Sequence, residues 1–380
     1  ESIGQTWEKR EIYLITISKN IKTANSKPAL FYTGTIHARE WIGHELAIEF
    51  ATYILKNLET DPSLQIYLSE STVYMVPCVN PDGYEYSRNH FSFWRKNRRQ
   101  NIDGTYGVDL NRNFPIGFNK STITTSNVYG GPEPFSEPET KALRDFILAH
   151  SNITIALDYH SQGNVFFPAH DFRHEDTFDT TDMNTLCANM AEEIRKISSR
   201  EYGIHQGKPP AKLIGGSGRE FYYSLGIIAT VVEVGTRNIS DYMQDLSENI
   251  KEQIPALIYA LKETDNYAKN SQIKKVDEFN ITHIGSNHVT LKWDYNLDEN
   301  IYFEIFRSTK DKQYCNSSNL ITKTKSLEFN DINLISNKNY YYNIRAVNKK
   351  TNQKSPFCPQ IKVRTLVEYD EFSRTYYANA

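Results

Sequence analysis

No apolar run in this 380-residue chain reaches the roughly 18 consecutive residues that a helix needs to cross a bilayer, so no membrane-spanning helix is expected. Cysteine is scarce, and four residues are too few for a disulfide scaffold. Cys78 and Cys187 read as small buried residues in a strand and a helix. Cys315 and Cys358 share the C-terminal region and could pair in an oxidising compartment. Charge of one sign is lacking as well. With 43 basic and 46 acidic residues the formal net charge is -3, so no whole-molecule field draws the chain to nucleic acid or an anionic membrane. The basic residues form no extended patch with interleaved aromatics, which argues against a nucleic-acid partner. Repeats and low-complexity tracts are absent, and the opening residues ESIGQTWEKR do not read as a signal peptide.

What is present is the composition of a globular fold, with 39% hydrophobic, 13% aromatic and 23% charged residues. The length predicts two domains. The first two-thirds alternates strand-like and helix-like segments, which points to an α/β domain. Strands are predicted at Ile12 to Ile17, Leu30 to Thr35, Val73 to Pro77, Ile153 to Leu157 and Ile227 to Val234. Several lack polar alternation, as strands covered on both faces do. Helices are predicted over Trp41 to Leu58, Met183 to Ile197 and Tyr242 to Leu261. Another spans Ala142 to Ala149, with Ser136 and Glu139 as its capping box.

After Lys262 a polar stretch leads into short alternating segments separated by turn residues. HVTLKWDY, YFEIFRS, LEFNDI, YYYNIRAV and QIKVRT recur at the spacing of a small antiparallel β-sandwich. The stretch resembles a fibronectin type III module, with Trp293 in its second strand and Tyr340 to Ile344 in its penultimate one. The expected organisation is an α/β domain over 1–266, a sandwich over 274–366 and a tail over 367–380.

Chemistry concentrates at strand ends. In Gly34-Thr-Ile-His37-Ala-Arg39-Glu40-Trp41 an imidazole and a carboxylate lie three residues apart where an apolar strand gives way to a helix, and zinc accepts both donors. Among 10 histidines and 46 acids such a pair alone reads as a solvated surface pair. His160, in Asp158-Tyr159-His160-Ser161, adds a third donor from a second strand and leaves a fourth position for water, as catalytic zinc requires. Singly, it reads as a satisfied core histidine. Glu233 lies within the apolar strand IIATVVEVG, where a carboxylate needs a partner, a raised pKa or an opening to solvent. Two further segments carry fixed positive charge. In Trp94-Arg95-Lys96-Asn97-Arg98-Arg99, Arg98 and Arg99 read as a solvated basic loop. In Asp109-Leu110-Asn111-Arg112-Asn113, Arg112 with Asn111 could clamp a carboxylate, and Asp109 could orient a metal-binding histidine.

Taken in order, HAREW, FWRKNRR, GVDLNRNF, DYHSQG and TVVEVG resemble the M14 family of zinc metallocarboxypeptidases over about residues 1–266. The spacing of 120 residues from Glu40 to His160 and 73 from His160 to Glu233 makes the joint match specific. The resemblance implies a carboxypeptidase A-like fold, a mixed central β-sheet flanked by helices. It implies one zinc ion on His37, Glu40 and His160, and Glu233 as general base for the metal-activated water. Arg95 would stabilise the oxyanion, Asn111 and Arg112 would hold the substrate's terminal carboxylate, and Arg39 would be a subsite arginine. The expected substrate is a peptide with a free C-terminal carboxylate, and the family's habits imply a secreted or extracytoplasmic enzyme.

Departures from the pattern carry information of their own. Gln162 stands where the animal digestive enzymes have tyrosine, and His-Ser-Gln-Gly looks more like the bacterial branch, including cell-wall peptidases that would act on murein peptides. Counting back to the family's mobile tyrosine lands on Ala211, with Tyr202, Tyr222 and Tyr223 as substitutes. Gly215 to Glu220 falls on the side-chain pocket, so Arg219 could favour an acidic C-terminal residue or could simply pair with Glu220. A catalytically silent peptide-binding protein with a structural zinc is the competing class. Intact Glu233 and Arg95 argue against it, since neither is needed merely to bind metal.

Overall fold

The computed structural model describes residues 1–150, 152–169, 182–205, 215–225, 227–239, 245–271, 273, 276–296, 298–309, 319–350, 355, 358 and 360–368. Packing divides the chain into two compact units that part between Ala268 and Lys269.

The first unit begins with strands β1 (Ser2–Gln5), β2 (Glu11–Tyr13), β3 (Ile15–Ile17) and β4 (Ala29–Gly34), then helices α1 (Ile42–Asn57) and α2 (Pro62–Glu70). Strand β5 (Thr72–Val76), α3 (Pro81–Asn89), α4 (Pro138–Ala149), β6 (Ile153–His160), β7 (Val165–Pro168) and α5 (Asp182–Ser198) follow. It closes with β8 (Gly203–Ile204), α6 (Gly218–Ser224), β9 (Ile228–Glu233) and α7 (Leu246–Ser271). Seven strands form one mixed sheet in the order β3-β5-β4-β6-β9-β7-β8, while β1 and β2 pair separately. Strands β4, β5, β6 and β9 run parallel and the edges are antiparallel. All eight residues of β6 are buried, so apolar residues fill both faces of the strand and Thr154, Asp158 and His160 are enclosed with them. Tyr32 and Tyr159 stack at 4.7 Å in that centre.

The expected strands appear, with the first divided into β2 and β3. Helices α2 and α3 were not foreseen, although their signals are local. Asp61 and Asn80 each cap a helix whose first residue is proline, and Asp61 accepts from the Ser63 amide at 2.8 Å. The capping box expected at α4 does not form. Ser136 Oγ is bound to Glu137 at 2.7 Å, and Glu139 turns inward, where the Asn97 amide donates to it at 3.2 Å. Arg98 and Arg99 are not solvated either. The Arg98 guanidinium lies 3.8 Å from the Tyr86 ring centroid and 4.4 Å from that of Tyr106, and Arg99 pairs with buried Glu137 at 2.7 Å.

Glu137 is held by Trp7, Asn97, Arg99 and Ser136. Burial, and then the Glu137 charge, push the fully buried Glu139 carboxyl up to about 8. Below about 4.5 both folded and unfolded chains hold this proton. Above it the unfolded chain releases the proton first, so the folded state loses stability until the pH passes about 8. Glu139→Gln is therefore expected to gain on wild type by up to several kcal/mol between pH 5 and pH 8. Urea melts at both values check this, and a variant difference independent of pH would show that Glu139 ionises normally.

The second unit contains β10 (Asp277–Ile284), β11 (His288–Asp294), β12 (Ile301–Ser308), β13 (Leu320–Thr324), β14 (Glu328–Ile332), β15 (Asn339–Asn348) and β16 (Ile361–Arg364). They form two antiparallel sheets, β10-β11-β14 and β13-β12-β15-β16, around a shared core that includes Trp293, Phe303, Ile305, Tyr342 and Ile344. This is the small all-β sandwich that the alternating segments predict; β10 and β13 are additional to them. Cys315 lies outside the described residues, and the buried Cys358 thiol is 2.9 Å from the Val276 carbonyl oxygen. Among the described residues no helix is long and apolar enough to cross a membrane.

Candidate active site

The chemistry-bearing residues converge at the C-terminal ends of β4, β6 and β9, where parallel strands leave a crevice beyond their last carbonyls. His37, Arg39 and Glu40 occupy the turn between β4 and α1. A Cβ on Gly34 would lie 2.5 Å from the Gly43 carbonyl oxygen, so only glycine lets the first turn of α1 press onto the strand end. Asp158 and His160 terminate β6, and register places Glu233 of β9 beside His160. The Arg95 carbonyl accepts from the Ala38 amide at 2.9 Å, which ties the basic loop to the His37 turn.

His37, Glu40 and His160 are buried, and their donor atoms all lie within 4.8 Å of one another. The Glu40 carboxylate is 2.9 Å from His37 Nδ1 and 2.7 Å from His160 Nδ1. Each histidine turns its other nitrogen to an acid: His37 Nε2 to Asp109 at 3.2 Å and His160 Nε2 to Asp158 at 2.9 Å. An N–H directed at those carboxylates leaves both Nδ1 lone pairs facing Glu40, which is the tautomer a metal ligand needs. Two neutral imidazoles and one carboxylate are a donor set that zinc accepts, so the residues present fit the ion. Asp158 was quoted in the sequence without a role. Its signal was an acid two residues before a histidine in a buried strand, and Thr33 Oγ1 anchors it at 2.9 Å.

Burial raises the Glu40 carboxyl, but His37 and His160 outweigh it and leave Glu40 below the usual carboxylate range. Burial likewise opposes ionisation of Asp109, yet Arg95 and His37 hold it well below its ordinary value. His160 is lowered by burial and raised further by Asp158 and Glu40, ending well above the usual imidazole range. Glu233 behaves differently. Burial pushes it up to about 7, and its Oε2 has no hydrogen-bond partner. A half-buried, unpartnered carboxyl beside a metal-binding set is poised to exchange a proton near neutrality.

The arginines surround this core. Arg95 donates to Asp109 Oδ2 through Nε at 3.1 Å and Nη2 at 3.0 Å, and its Nη1 stands 3.7 Å from Glu40. Arg39 is half-buried with Nε lacking a partner, and burial followed by the Arg95 charge lowers its pKa. Arg112 Nη1 bonds the Asn111 carbonyl at 2.5 Å, and the Asn111 side-chain oxygen accepts from the Gly218 amide at 3.1 Å. Arg219 makes the pairing read from its segment: Nε pairs with Glu220 at 2.6 Å, and Nη1 bonds the Phe167 carbonyl at 3.1 Å. Ala211 lies outside the described residues. Tyr202 is buried with its hydroxyl bonded to Glu252 at 2.7 Å, and Tyr222 is in the core, so both pack rather than reach the crevice.

A buried His-Glu-His set at the parallel strand ends of a mixed sheet, with an unpartnered acid and converging arginines, defines a metallohydrolase-type centre. The chain belongs to the zinc carboxypeptidase family, which matches it over residues 1–297. Carboxypeptidase A4 of Mus musculus is 31% identical over 229 residues, covering 59% of this chain and 54% of that protein. Carboxypeptidase B of Astacus astacus is 29% identical over 255 residues, covering 66% and 82% respectively. The chain thus spans about half the length of the mouse relative and most of the crayfish one. Among solved structures, thrombin activatable fibrinolysis inhibitor superposes with a TM-score of 0.63 at 25% identity, covering 70% of this chain and 69% of that one. A metallo-carboxypeptidase from Burkholderia cenocepacia, at 0.50 and 17% identity over 70% and 64%, shares the fold.

Proposed function

We propose that this protein is an active zinc carboxypeptidase that releases the C-terminal residue of peptides, with residues 1–266 as the catalytic domain and the sandwich over 274–366 as an attached module. The observation that carries the reading is the buried His37, Glu40 and His160 set beside a Glu233 carboxyl poised near neutrality. One zinc ion held by those three residues would supply a Lewis-acidic centre that polarises the scissile carbonyl and acidifies water. Glu233 takes the proton of the attacking water and passes it to the leaving amine. Arg95, fixed on Asp109, faces the developing oxyanion. Asn111 and Arg112 hold the terminal carboxylate of the substrate, which makes the reaction an exopeptidase one. Arg39 contacts the substrate upstream of the cleaved bond. Arg219 biases the pocket toward an acidic C-terminal side chain, opposed by Glu220. Secretion follows the habit of the family.

A peptide panel varying the last residue tests this, with C-terminally amidated controls and murein tri- and tetrapeptides included. Release of single residues from free acids only is the expected result. Cleavage of murein peptides alone would move the protein to the cell-wall branch, and no turnover with zinc bound would make it a peptide-binding protein. Preference for large apolar residues over Glu or Asp would remove the role of Arg219. In the same assay Arg95→Ala is expected to lower kcat about a hundredfold or more, and equal rates would remove it from the oxyanion site.

A further inference from the structure

Two glycines distant in sequence close on one peptide unit. A Cβ on Gly130 would lie 2.6 Å from the Arg112 carbonyl oxygen and 3.2 Å from the Arg112 Cβ. A Cβ on Gly216 would lie 2.3 Å from the same oxygen and 2.6 Å from its carbon, and Gly216 also has φ of +78°, which disfavours any side chain. In both cases the obstacle is backbone, which cannot rotate aside as a side chain can. Backbone bonds lock the approach: the Phe114 amide donates to Gly216 O at 3.0 Å, and the Gly216 amide donates to Ile116 O at 2.7 Å. Two residues on, the Gly218 amide fixes the Asn111 side chain at 3.1 Å. The Gly216–Gly218 segment therefore sets the backbone of Arg112 and the amide of Asn111 together, while Gly130 bounds the Arg112 carbonyl as well.

We propose that Gly130 and Gly216 are positioning residues for carboxylate recognition: their missing side chains let two loops hold the Arg112 peptide unit in the place from which its guanidinium meets the substrate's free C-terminus. The inference rests on the reading of Arg112 as the carboxylate-binding group. Neither glycine touches substrate, so their effect is on selectivity between a free acid and its amide, not on proton transfer. Losing a charge-assisted hydrogen bond of such a clamp weakens binding by about ten- to a hundredfold.

The test uses zinc-loaded Glu233→Gln protein, so that binding is read without turnover, and compares acetyl-Ala-Ala-Phe with its C-terminal amide by calorimetry. The parent is expected to prefer the free acid. Gly216→Ala and, separately, Gly130→Ala are expected to weaken acid binding by about ten- to a hundredfold, leave amide binding unchanged and retain zinc. Gly203→Ala, whose new carbon would be 3.7 Å from Val165, keeps the preference. If the parent does not distinguish acid from amide, the carboxylate-binding reading of Arg112 fails and this inference with it. If the parent distinguishes them and a folded, zinc-retaining Gly216→Ala or Gly130→Ala does so equally, the positioning role alone fails. Should Gly216→Ala not fold, Gly130→Ala carries the comparison from the other side of the carbonyl.

Discussion

Glu233→Gln in the zinc-loaded protein is expected to lower kcat by about a hundred- to ten-thousandfold while zinc affinity stays unchanged. The amide has nearly the shape of the acid but cannot take a proton from water, and Glu233 is not among the three clustered metal donors. On the proposed mechanism activity requires the ionised carboxylate, so the wild-type rate is expected to fall as pH drops through the Glu233 pKa. Burial sets that value at about 7 without metal, and a dication on the neighbouring ligands favours the carboxylate and moves the acid limb below 7. A pH profile of kcat/KM should therefore show an acid limb that the residual Glu233→Gln rate lacks. Unchanged kcat in the variant would assign the base to another group.

The second large effect is metal removal. Chelation is expected to abolish turnover and lower Tm, with zinc restoring both. Ligand linkage alone gives about 4 kcal/mol when free zinc exceeds Kd a thousandfold. Proton linkage adds a direction. Burial lowers His160, but Asp158 and Glu40 raise it well above the ordinary imidazole value in the metal-free protein. That protonated state stabilises the metal-free fold fully below about pH 6.5 and is lost as pH rises through the raised folded value. Zinc must displace the same proton, so its apparent affinity rises with pH. The Tm difference between loaded and chelated protein should thus widen from pH 6 toward alkaline pH. A constant difference across that range would mean that His160 is neutral without metal.

Some of this site was legible in the chain because its grammar is local. His37 and Glu40 share one turn, Asp158 and His160 share one face of a strand, and Glu233 interrupts an apolar run where a carboxylate needs a reason to be. The central strands were legible for a related reason, since burial on both faces favours apolar residues at consecutive positions. Local rules failed where a distant partner outbid them. Ser136 and Glu139 have the spacing of a capping box, but Asn97, 42 residues from Glu139, draws that carboxyl inward. Arg98 resembles a solvated charge until Tyr86 and Tyr106 are folded around it.

By itself the sequence determined the α/β and all-β halves, the donor types for a zinc ion and the buried acid beside them, because periodicity and residue chemistry act within a few neighbours. Only the tertiary structure decided which acid orients which histidine and that Arg219 is held by Glu220 and the Phe167 carbonyl. It alone brought Gly130 and Gly216 against the Arg112 peptide. The contacts of His37 with Asp109, Arg219 with Phe167 and Gly216 with Arg112 depend on close packing between segments far apart in the chain, and nothing in the order of residues along a chain states a distance in space.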